Sequence, residues 1–260
     1  MQTTAFVNYH VKHSRRQSFQ FDVGGQVGNL VSPELTRARV SVEDIRGSQR
    51  PVTFDADGVT FQHHRSAVAD FTAPGTWQAT YDAELTVLLQ STIGADDVIV
   101  FDHTVRIDDP SAARKPARNV HNDYTADSAK QRVIDLLGED QAQEFEQGHY
   151  GFVNVWRPIE QPIETSPLGF IRPQSMNAND WMNIDLIYPD RVGQILGVAA
   201  NRNHEWFYQS RMTPDEVAIF NIYDNAGRSH VGHSALDLEP PTDSLAIRKS
   251  IESRTLVRFN

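Results

Sequence analysis

The stretch Val120-His121-Asn122-Asp123-Tyr124-Thr125 has the alternation of side chains expected of a β-strand. Because side chains two positions apart on a strand point the same way, His121 and Asp123 are expected to face one side. An imidazole nitrogen and a carboxylate oxygen placed there can bind one metal ion. One more histidine from a distant strand would complete the two-histidine, one-carboxylate set of non-haem iron sites, which leaves coordination positions open. A motif this short also arises by chance, so the rest of the chain decides its meaning.

The composition excludes several kinds of site and partner. The 260 residues include no cysteine, so disulfides and thiolate zinc sites are excluded, and any metal must be bound by His, Asp, Glu and water. The net charge of −10 argues against nucleic acid and anionic membranes as partners. No apolar run approaches the roughly 20 residues of a membrane span, and Met1–Val11 lacks the apolar core of a signal peptide. We therefore expect a cytoplasmic protein without a membrane or nucleic-acid partner.

Three stretches have the spacing of apolar residues that is typical of helices. Trp77–Ile93 shows it most clearly, and Gly94 follows as a natural C-terminal stop. Asp127–Gly138 and Glu139–Gln147 show it too, with Gly138 as a break between them. We therefore predict a helix before the middle of the chain and two short helices after the His121 stretch.

Short strands account for most of the remaining chain. Val52–Phe71 is predicted as a hairpin with its turn at Asp55–Gly58, and Gly24-Gly25 as a loop. Many short strands without strand–helix alternation indicate a mainly β fold with flanking helices, that is, a jelly roll. We expect one domain over residues 1–260, in which residues 1–95 pack on a jelly-roll core, residues 96–260, that carries the metal site. Strands are predicted at 5–9, 39–42, 98–106, 120–125, 152–158, 167–171, 181–188, 195–200, 205–208, 217–220 and 251–259.

Seven segments follow one another in an order that resembles a known family. They are Val100-Phe101-Asp102-His103-Thr104-Val105-Arg106, His121-Asn122-Asp123-Tyr124-Thr125, Val153-Asn154-Val155-Trp156-Arg157-Pro158-Ile159, Ser166-Pro167-Leu168, Met212-Thr213-Pro214-Asp215-Glu216, His233-Ser234-Ala235 and Arg248-Lys249-Ser250-Ile251-Glu252-Ser253-Arg254. The family is that of the non-haem oxygenases that contain the cephalosporin 7α-methoxylating component and the fungal gibberellin desaturase-like and hydroxylase/desaturase-like enzymes. The resemblance covers roughly residues 52–259 and implies a double-stranded β-helix (a cupin-like jelly roll), Fe(II), and 2-oxoglutarate as co-substrate.

The resemblance also implies which residues bind the metal. His121 and Asp123 would form the proximal pair. His233 matches the family's distal histidine and is favoured, while His230 is kept as the alternative third ligand. Without the upstream motif, His233 would be read as an ordinary loop histidine.

A polar strand follows these histidines and suits a keto-acid. Arg248 and Ser250 form R-x-S, in which the guanidinium can grip a carboxylate with two hydrogen bonds and the hydroxyl can add a third. These groups match what the distal carboxylate of 2-oxoglutarate requires. Arg254 shares their strand face and is the second choice for that carboxylate. The alternative is an edge strand whose arginines form surface ion pairs with Glu252.

Further residues are expected to line the two pockets. Asn154 and Arg157 are expected at the co-substrate pocket, because their strand follows the metal-binding strand. Aromatic residues are expected to wall the substrate cavity, although aromatic side chains are more often part of a core. These are Tyr124, Trp181, Trp206 and Tyr208.

The function expected from the resemblance is that of a non-haem iron, 2-oxoglutarate-dependent dioxygenase. Such an enzyme hydroxylates, desaturates or otherwise oxidises a small molecule, here a secondary metabolite, with O2 through a ferryl intermediate, and releases succinate and CO2. Two alternatives stay open: a cupin-type metal dioxygenase that uses no 2-oxoglutarate, and a non-catalytic jelly-roll partner subunit of a biosynthetic enzyme. The substrate and the oligomeric state are not readable from the sequence, and a homodimer is left open.

Overall fold

Two β-sheets and four helices make up the regular structure of the described chain. The computed structural model describes residues 1–21, 31–73, 75–242 and 244–260, so the loop predicted at Gly24-Gly25 lies outside the described residues. In chain order the elements are β1 (Gln2–His10), β2 (Gln17–Gln20), β3 (Leu35–Asp44), α1 (Phe54–Asp57), β4 (Val59–His63), α2 (Gln78–Ile93), β5 (Asp97–Ile107), β6 (His121–Asn122), α3 (Ala126–Leu137), α4 (Glu139–Phe145), β7 (His149–Pro158), β8 (Leu168–Ile171), β9 (Trp181–Ile187), β10 (Val192–Val198), β11 (Trp206–Tyr208), β12 (Glu216–Asp224), β13 (His233–Ala235), β14 (Asp237–Glu239) and β15 (Lys249–Phe259).

The strands divide into a larger and a smaller sheet. The larger sheet has ten strands in the order β14-β1-β3-β11-β8-β13-β6-β10-β9-β2. The smaller sheet has five in the order β4-β12-β7-β15-β5. Neighbours in the larger sheet are mostly far apart along the chain, which is typical of a jelly roll. The prediction of a mainly β jelly roll with flanking helices is therefore confirmed.

A core of aromatic residues joins the two sheets. Phe152 and Phe220 come from the smaller sheet, Phe170 and Phe207 come from the larger one, and all four are fully buried. The rings of Phe170 and Phe220 lie 5.1 Å apart between centroids, and those of Phe170 and Phe207 lie 5.6 Å apart. Removal of this apolar surface from water is the main force that holds the sheets together.

Helix α2 covers the outer face of the smaller sheet. Its buried side chains, Tyr81, Leu85, Leu88 and Leu89, pack on apolar residues of β7, β12 and β15. The helix ends at Gly94, which has the left-handed φ of 70° that only glycine adopts without strain. The helix predicted over Trp77–Ile93 is confirmed, and so are the two short helices α3 and α4.

The hairpin predicted over Val52–Phe71 is wrong. Phe54–Asp57 forms a helical turn instead, because the Thr53 side chain accepts a hydrogen bond from the Ala56 amide and so caps the turn. Gly58 ends the turn with φ 67°. The strand that follows, β4, pairs with β12 rather than with a hairpin partner.

The N-terminal strands share the sheets of the later strands. β1 and β3 pair over nine residues in the larger sheet, and β4 lies at the edge of the smaller one. The strands predicted from residue 98 onward are present, except that the strand predicted at 120–125 is reduced to two residues. Among the described residues, no helix is long and apolar enough to cross a membrane.

Candidate active site

Two neighbouring strands of the larger sheet bring two distant histidines together. His121 on β6 and His233 on β13 are direct partners in an antiparallel ladder, so their side chains leave the same face of the sheet. Their ring centroids lie 4.4 Å apart. Both rings are buried, and His233 packs against Phe220 at 5.0 Å between centroids.

Backbone carbonyl groups orient both imidazoles. The Nδ1 atom of His121 lies 2.8 Å from the Asn119 carbonyl oxygen, and that of His233 lies 3.3 Å from the Val231 carbonyl oxygen. Because a carbonyl oxygen only accepts, each Nδ1 carries the proton and donates it, and each Nε2 keeps a free lone pair. This arrangement is typical of metal-ligating histidines.

A carboxylate oxygen lies close to both free nitrogens. Asp123 Oδ1 is 3.4 Å from His121 Nε2 and 4.0 Å from His233 Nε2. The three ligand atoms lie within 4.8 Å of one another, and this is the single group of its kind in the part of the chain that the structure describes. Two imidazoles and one carboxylate are the ligand set of non-haem Fe(II) oxygenases, so the donor chemistry fits iron.

Asp123 reaches this position through a turn and not along a strand. The strand predicted over 120–125 ends after Asn122, whose amide donates to the carbonyl groups of Tyr124 and Ile222 at 3.0 and 2.8 Å. Thr125 then caps α3 in a capping box with Ser128. The short motif predicted the right side chains, but the bend between Asn122 and the helix cap is what directs the carboxylate.

Arg254 and Asn154 hold the second oxygen of Asp123. Asp123 Oδ2 accepts hydrogen bonds from Asn154 Nδ2 at 2.9 Å and from Arg254 Nε at 3.1 Å. The remaining nitrogens of Arg254 donate to Asp102 and Glu252, each at 2.6 Å. The guanidinium is thus fully engaged by protein carboxylates and is not free for a keto-acid, which corrects its assignment as second choice for the co-substrate.

Charge and burial keep Asp123 and His233 in their metal-binding forms. Burial alone would raise the pKa of Asp123, but the positive charge of the Arg254 guanidinium outweighs it and holds that pKa well below its usual value. Burial, together with the nearby His121, lowers the pKa of His233 to about 3. An ionised carboxylate and a neutral imidazole are the forms that bind metal.

His230 lies apart from this group. Its ring packs on Trp181 at 4.8 Å between centroids, and burial lowers its pKa. The group of three side chains that could bind one metal ion contains His233 and not His230, which supports the preference drawn from the sequence.

The R-x-S pair offers buried donors without partners. Arg248 is 3% exposed and Ser250 is fully buried. Among the described residues no group accepts a hydrogen bond from Arg248 Nε or Nη1 or pairs with Ser250 Oγ. Because unsatisfied buried polar atoms are costly, such a pair indicates a missing anionic ligand. These orphaned atoms fit the distal carboxylate of 2-oxoglutarate.

In the described part of the chain, no carboxylate lies within ion-pair distance of Arg248. Burial, with the neighbouring Arg106 as the next cause, lowers its pKa to about 9. Its guanidinium lies over the Trp156 ring, 5.3 Å from the centroid, which shields it from water. A bound carboxylate would supply the missing negative charge.

A cavity of about 400 Å³ lies beside residues adjacent in sequence to the ligands. Its wall includes Tyr124, directly after Asp123, and His230, three residues before His233. The apolar part of the wall is provided by Met176, Trp181 and Leu196. Tyr124 and Trp181 line a space large enough for a small organic molecule, and their role in a substrate cavity stays a prediction.

Two other aromatic residues lie on the opposite face of the larger sheet. Phe207 pairs with Phe170, which in turn pairs with His233, so these three share the inner face. Trp206 and Tyr208 alternate with Phe207 and pack instead around Tyr9. Their assignment to the substrate cavity is corrected, because strand alternation turns them away from the ligands.

Arg157 is likewise separated from the co-substrate pocket by alternation. Asn154 is the ladder partner of Arg254, whereas Arg157 is that of Ile251, which belongs to the face under α2. The Arg157 guanidinium contacts His64 and lies 5.1 Å from the centre of the Tyr81 ring. It stabilises the outer layer, and its assignment to the pocket is corrected.

Ser250, Glu252 and Arg254 give the smaller sheet a polar face. Three further residues of this polar face were not recognised as site residues from the sequence. Asp102, Thr104 and Arg106 on β5 are the ladder partners of Arg254, Glu252 and Ser250. Their alternation in Asp102-His103-Thr104-Val105-Arg106 was a usable signal, but only the pairing of β5 with β15 assigns them to the site.

Comparison with known proteins identifies the family of this chain. A family model described as an oxidoreductase/YMDC permease-like domain matches residues 7–258. The alpha-ketoglutarate-dependent dioxygenase phiK of a fungus (Fungal sp.) is 32% identical over 241 residues, covering 85% of this chain and 83% of the relative. The hydroxylase/desaturase efuI of Hormonema carpetanum is 31% identical over 250 residues, covering 84% and 82%.

A solved structure shows the same fold. The iron and alpha-ketoglutarate-dependent endoperoxidase NvfI aligns with a TM-score of 0.85 at 23% identity, covering 100% of this chain and 98% of that chain. These findings confirm the fungal hydroxylase/desaturase part of the resemblance predicted from the sequence. Because the family match spans nearly the whole chain and the relatives above 30% identity cover most of it, the chain belongs to this oxidoreductase family and, with those relatives, to the non-haem Fe(II)/2-oxoglutarate-dependent oxygenases.

Proposed function

We propose that this enzyme oxidises a neutral, mostly apolar small molecule at an iron held by His121, Asp123 and His233. The observation that carries the proposal is the convergence of two Nε2 atoms and one carboxylate oxygen within 4.8 Å. When bound, Fe(II) with 2-oxoglutarate and O2 supplies the oxidation of an unactivated C–H bond, with succinate and CO2 as co-products.

The protein's part is to orient the ligands and the co-substrate. Arg254 and Asn154 hold Asp123 Oδ2 and so present Oδ1 to the metal. Arg248 and Ser250 bind the distal carboxylate of 2-oxoglutarate through donors that have no partner among the described residues. Trp156, stacked on Arg248, excludes water from that ion pair.

The cavity wall favours an uncharged substrate. Its two charged residues already have protein partners, since Arg228 pairs with Asp55 and Asp224, and Asp224 also binds His149. Burial keeps His230 in its neutral form near pH 7. The remaining wall is largely apolar, so a secondary metabolite with few polar groups fits it best. Relatives that carry the name hydroxylase/desaturase favour hydroxylation or desaturation as the outcome.

The direct test of the metal and co-substrate site is an anaerobic titration with Fe(II) and 2-oxoglutarate. The wild type is expected to develop the visible absorption band of a keto-acid chelated to iron. His233→Ala is expected to lose the band, whereas His230→Ala, the matched control, is expected to keep it. A band that survives in His233→Ala and disappears in His230→Ala would overturn the ligand assignment. Absence of the band in the wild type would overturn the proposal as a whole.

The substrate class is tested by filling the cavity. Leu196→Trp is expected to keep the iron–2-oxoglutarate band and to lose succinate release stimulated by a panel of neutral apolar compounds. A matched panel of carboxylated compounds is expected to give no stimulation with either protein. Stimulation of the wild type by the carboxylated panel alone would contradict a neutral substrate.

A further inference from the structure

Arg106 lies directly across from Ser250 on the neighbouring strand. Ser250 on β15 is the ladder partner of Arg106 on β5, so both side chains leave the same face of the smaller sheet. Arg254 and Asp102 are partners on this face as well. Arg106 therefore belongs to the polar face that runs from the R-x-S pair to the candidate metal centre.

The carboxylates of this face are all engaged by another arginine. Arg254 bonds Asp102, Asp123 and Glu252 at once. In the part of the chain that the structure describes, no carboxylate lies within ion-pair distance of Arg106, whose one side-chain hydrogen bond goes to the Lys115 carbonyl oxygen at 3.0 Å. Arg254 thus pairs with all three carboxylates, and none of them forms an ion pair with Arg106.

The carboxylate of Asp108, whose backbone contacts Arg248, also pairs with other residues. Asp108 follows β5, and its backbone amide donates to the Arg248 carbonyl oxygen. The Asp108 carboxylate, however, binds Arg118 at 2.8 Å and Ser166 at 2.7 Å. Arg106 is the ladder partner of Ser250, two residues from Arg248 along the chain, and neither arginine has a paired carboxylate among the described residues.

The charge of Arg106 acts on the pKa of Arg248, and the charges around the candidate metal centre act on Arg106. After burial, Arg106 is the largest cause of the lowered pKa of Arg248. Arg106 in turn has its pKa lowered by burial, and Glu252, Arg254 and Asp123 act on it. Strand pairing and charge thus both relate Arg106 to the R-x-S pair at one end of this face and to Arg254 at the other.

Charge balance then favours an anion at this point. Before any ligand is bound, three arginines of this face meet three carboxylates: Arg106, Arg248 and Arg254 against Asp102, Asp123 and Glu252. Fe(II) adds two positive charges, and 2-oxoglutarate brings two negative ones. The ligand's negative charge is needed where the arginines are unpaired.

We propose that Arg106 and Arg248 together bind the distal carboxylate of 2-oxoglutarate, so that the co-substrate pocket contains two guanidinium groups. This inference rests on the proposed function, because it takes Arg248 and Ser250 as the co-substrate pocket. Arg106 acts here as a binding residue, and its contact with the Lys115 carbonyl holds the side chain in place.

Anaerobic binding of two keto-acids to the Fe(II) enzyme tests the proposal. Affinity is read from the absorption band, with 2-oxoglutarate and with 2-oxobutanoate, which lacks the distal carboxylate. Arg106→Gln and Arg248→Gln are each expected to weaken 2-oxoglutarate binding about 10- to 100-fold, the usual worth of a charged hydrogen bond. Binding of 2-oxobutanoate is expected to change by less than about threefold, because the lost contact is absent from that ligand.

Two further variants keep the result unambiguous. Arg114→Gln removes an exposed positive charge close to Arg106 and is expected to bind both keto-acids as the wild type does. Arg106→Lys keeps the charge but loses the bidentate geometry, and thermal unfolding shows whether each variant is folded. Arg106→Lys is expected to weaken 2-oxoglutarate binding less than Arg106→Gln does. If the glutamine variant does not fold, the lysine variant provides the test.

The outcomes separate this inference from the proposed function. Wild-type affinity for 2-oxoglutarate in the Arg106 variants, with weak binding in Arg248→Gln, would overturn the role of Arg106 alone. Wild-type affinity in both the Arg106 and Arg248 variants would overturn the co-substrate pocket itself. Equal weakening for both keto-acids in Arg106→Gln would show that Arg106 does not act at the distal carboxylate, and would overturn the inference.

Discussion

Arg254 is the residue on which the charges of the site converge. Its guanidinium holds Asp123 on one side and Asp102 and Glu252 on the other. Each of these contacts is a charge-assisted hydrogen bond in a poorly solvated interior, where an unpaired carboxylate would be costly. The planar guanidinium spreads five donors over three nitrogens, whereas an ammonium group has three donors on a single nitrogen and cannot reproduce this geometry.

Arg254→Lys is therefore expected to weaken metal binding while it keeps the charge. The predicted effect is a loss of about 10- to 100-fold in affinity, typical for residues that orient a metal ligand. Co(II) serves as a spectroscopic substitute for Fe(II) in an equilibrium titration. Arg258→Lys on the same strand is the control, because Arg258 stacks on Phe145, 5.6 Å from its ring centroid. Unchanged Co(II) affinity in Arg254→Lys would contradict the orienting role.

Strand β10 supports β6 at the point where β6 carries His121. Gly197 is the ladder partner of His121, and the buried ring of His10 lies against it. A Cβ atom on Gly197 would lie 2.8 Å from His10 Cδ2 and 2.9 Å from Ile184 Cγ1, closer than carbon atoms approach in packed cores. The glycine is needed because the strand and the imidazole approach so closely.

Gly197→Ala is expected to lower the free energy of unfolding by about 1–3 kcal/mol, the usual cost of overpacking a core. Metal affinity should fall as well, since His10 or β6 must move. Gly193→Ala on the same strand is the matched control, because its added Cβ would meet only Leu186, at 3.8 Å. Urea unfolding and Co(II) titration measure the two effects. Equal stability of the two alanine variants would refute the close approach.

Buried histidines couple the stability of the whole molecule to pH. Burial is the leading cause of a lowered pKa at five of the ten histidines. These are His10, His64, His204, His230 and His233. For His10, which is 1% exposed, burial and the nearby His121 lower the pKa to about 4. The unfolded chain, with an ordinary pKa near 6.5, binds a proton there that the folded chain does not bind.

The metal-free protein is therefore expected to lose stability as the pH falls from about 6.5 to about 4. Because the pKa of His10 is lower in the folded chain than in the unfolded chain, its contribution to stability is fully present above the unfolded-chain value and is lost as the pH falls. One such group changes the free energy of unfolding by about 1.4 kcal/mol per pH unit within this window. For His10 the loss over this window amounts to roughly 3 kcal/mol. His10→Gln is expected to flatten the pH dependence of the urea-unfolding free energy by about one proton. The exposed His63→Gln is the control, and a wild-type slope in His10→Gln would refute the prediction.

At the scale of the whole molecule, the order of motifs carried most of the information. The mainly β fold, the helices α2, α3 and α4 and the histidine–aspartate pair all follow from periodicity and motif order along the chain. The hairpin predicted at 52–71 is wrong because the Thr53 side chain caps a helical turn, and the periodicity of apolar residues does not reveal such a cap. The predicted pocket roles of Arg157, Trp206 and Tyr208 were wrong, because the face of a strand that turns inward depends on its register with its neighbours.

The sequence by itself determined the chemistry of this protein: which side chains are available as ligands, that no thiolate takes part, and where most of the helices and strands form. These properties depend on residue type and on short-range periodicity, which the chain carries locally. Only the tertiary structure decided that His233, and not His230, lies with His121 and Asp123, that Arg254 serves three carboxylates, and that Arg106 stands across from Ser250. The physical reason is that these contacts join strands more than a hundred residues apart, and their register is decided by how the two sheets pack together.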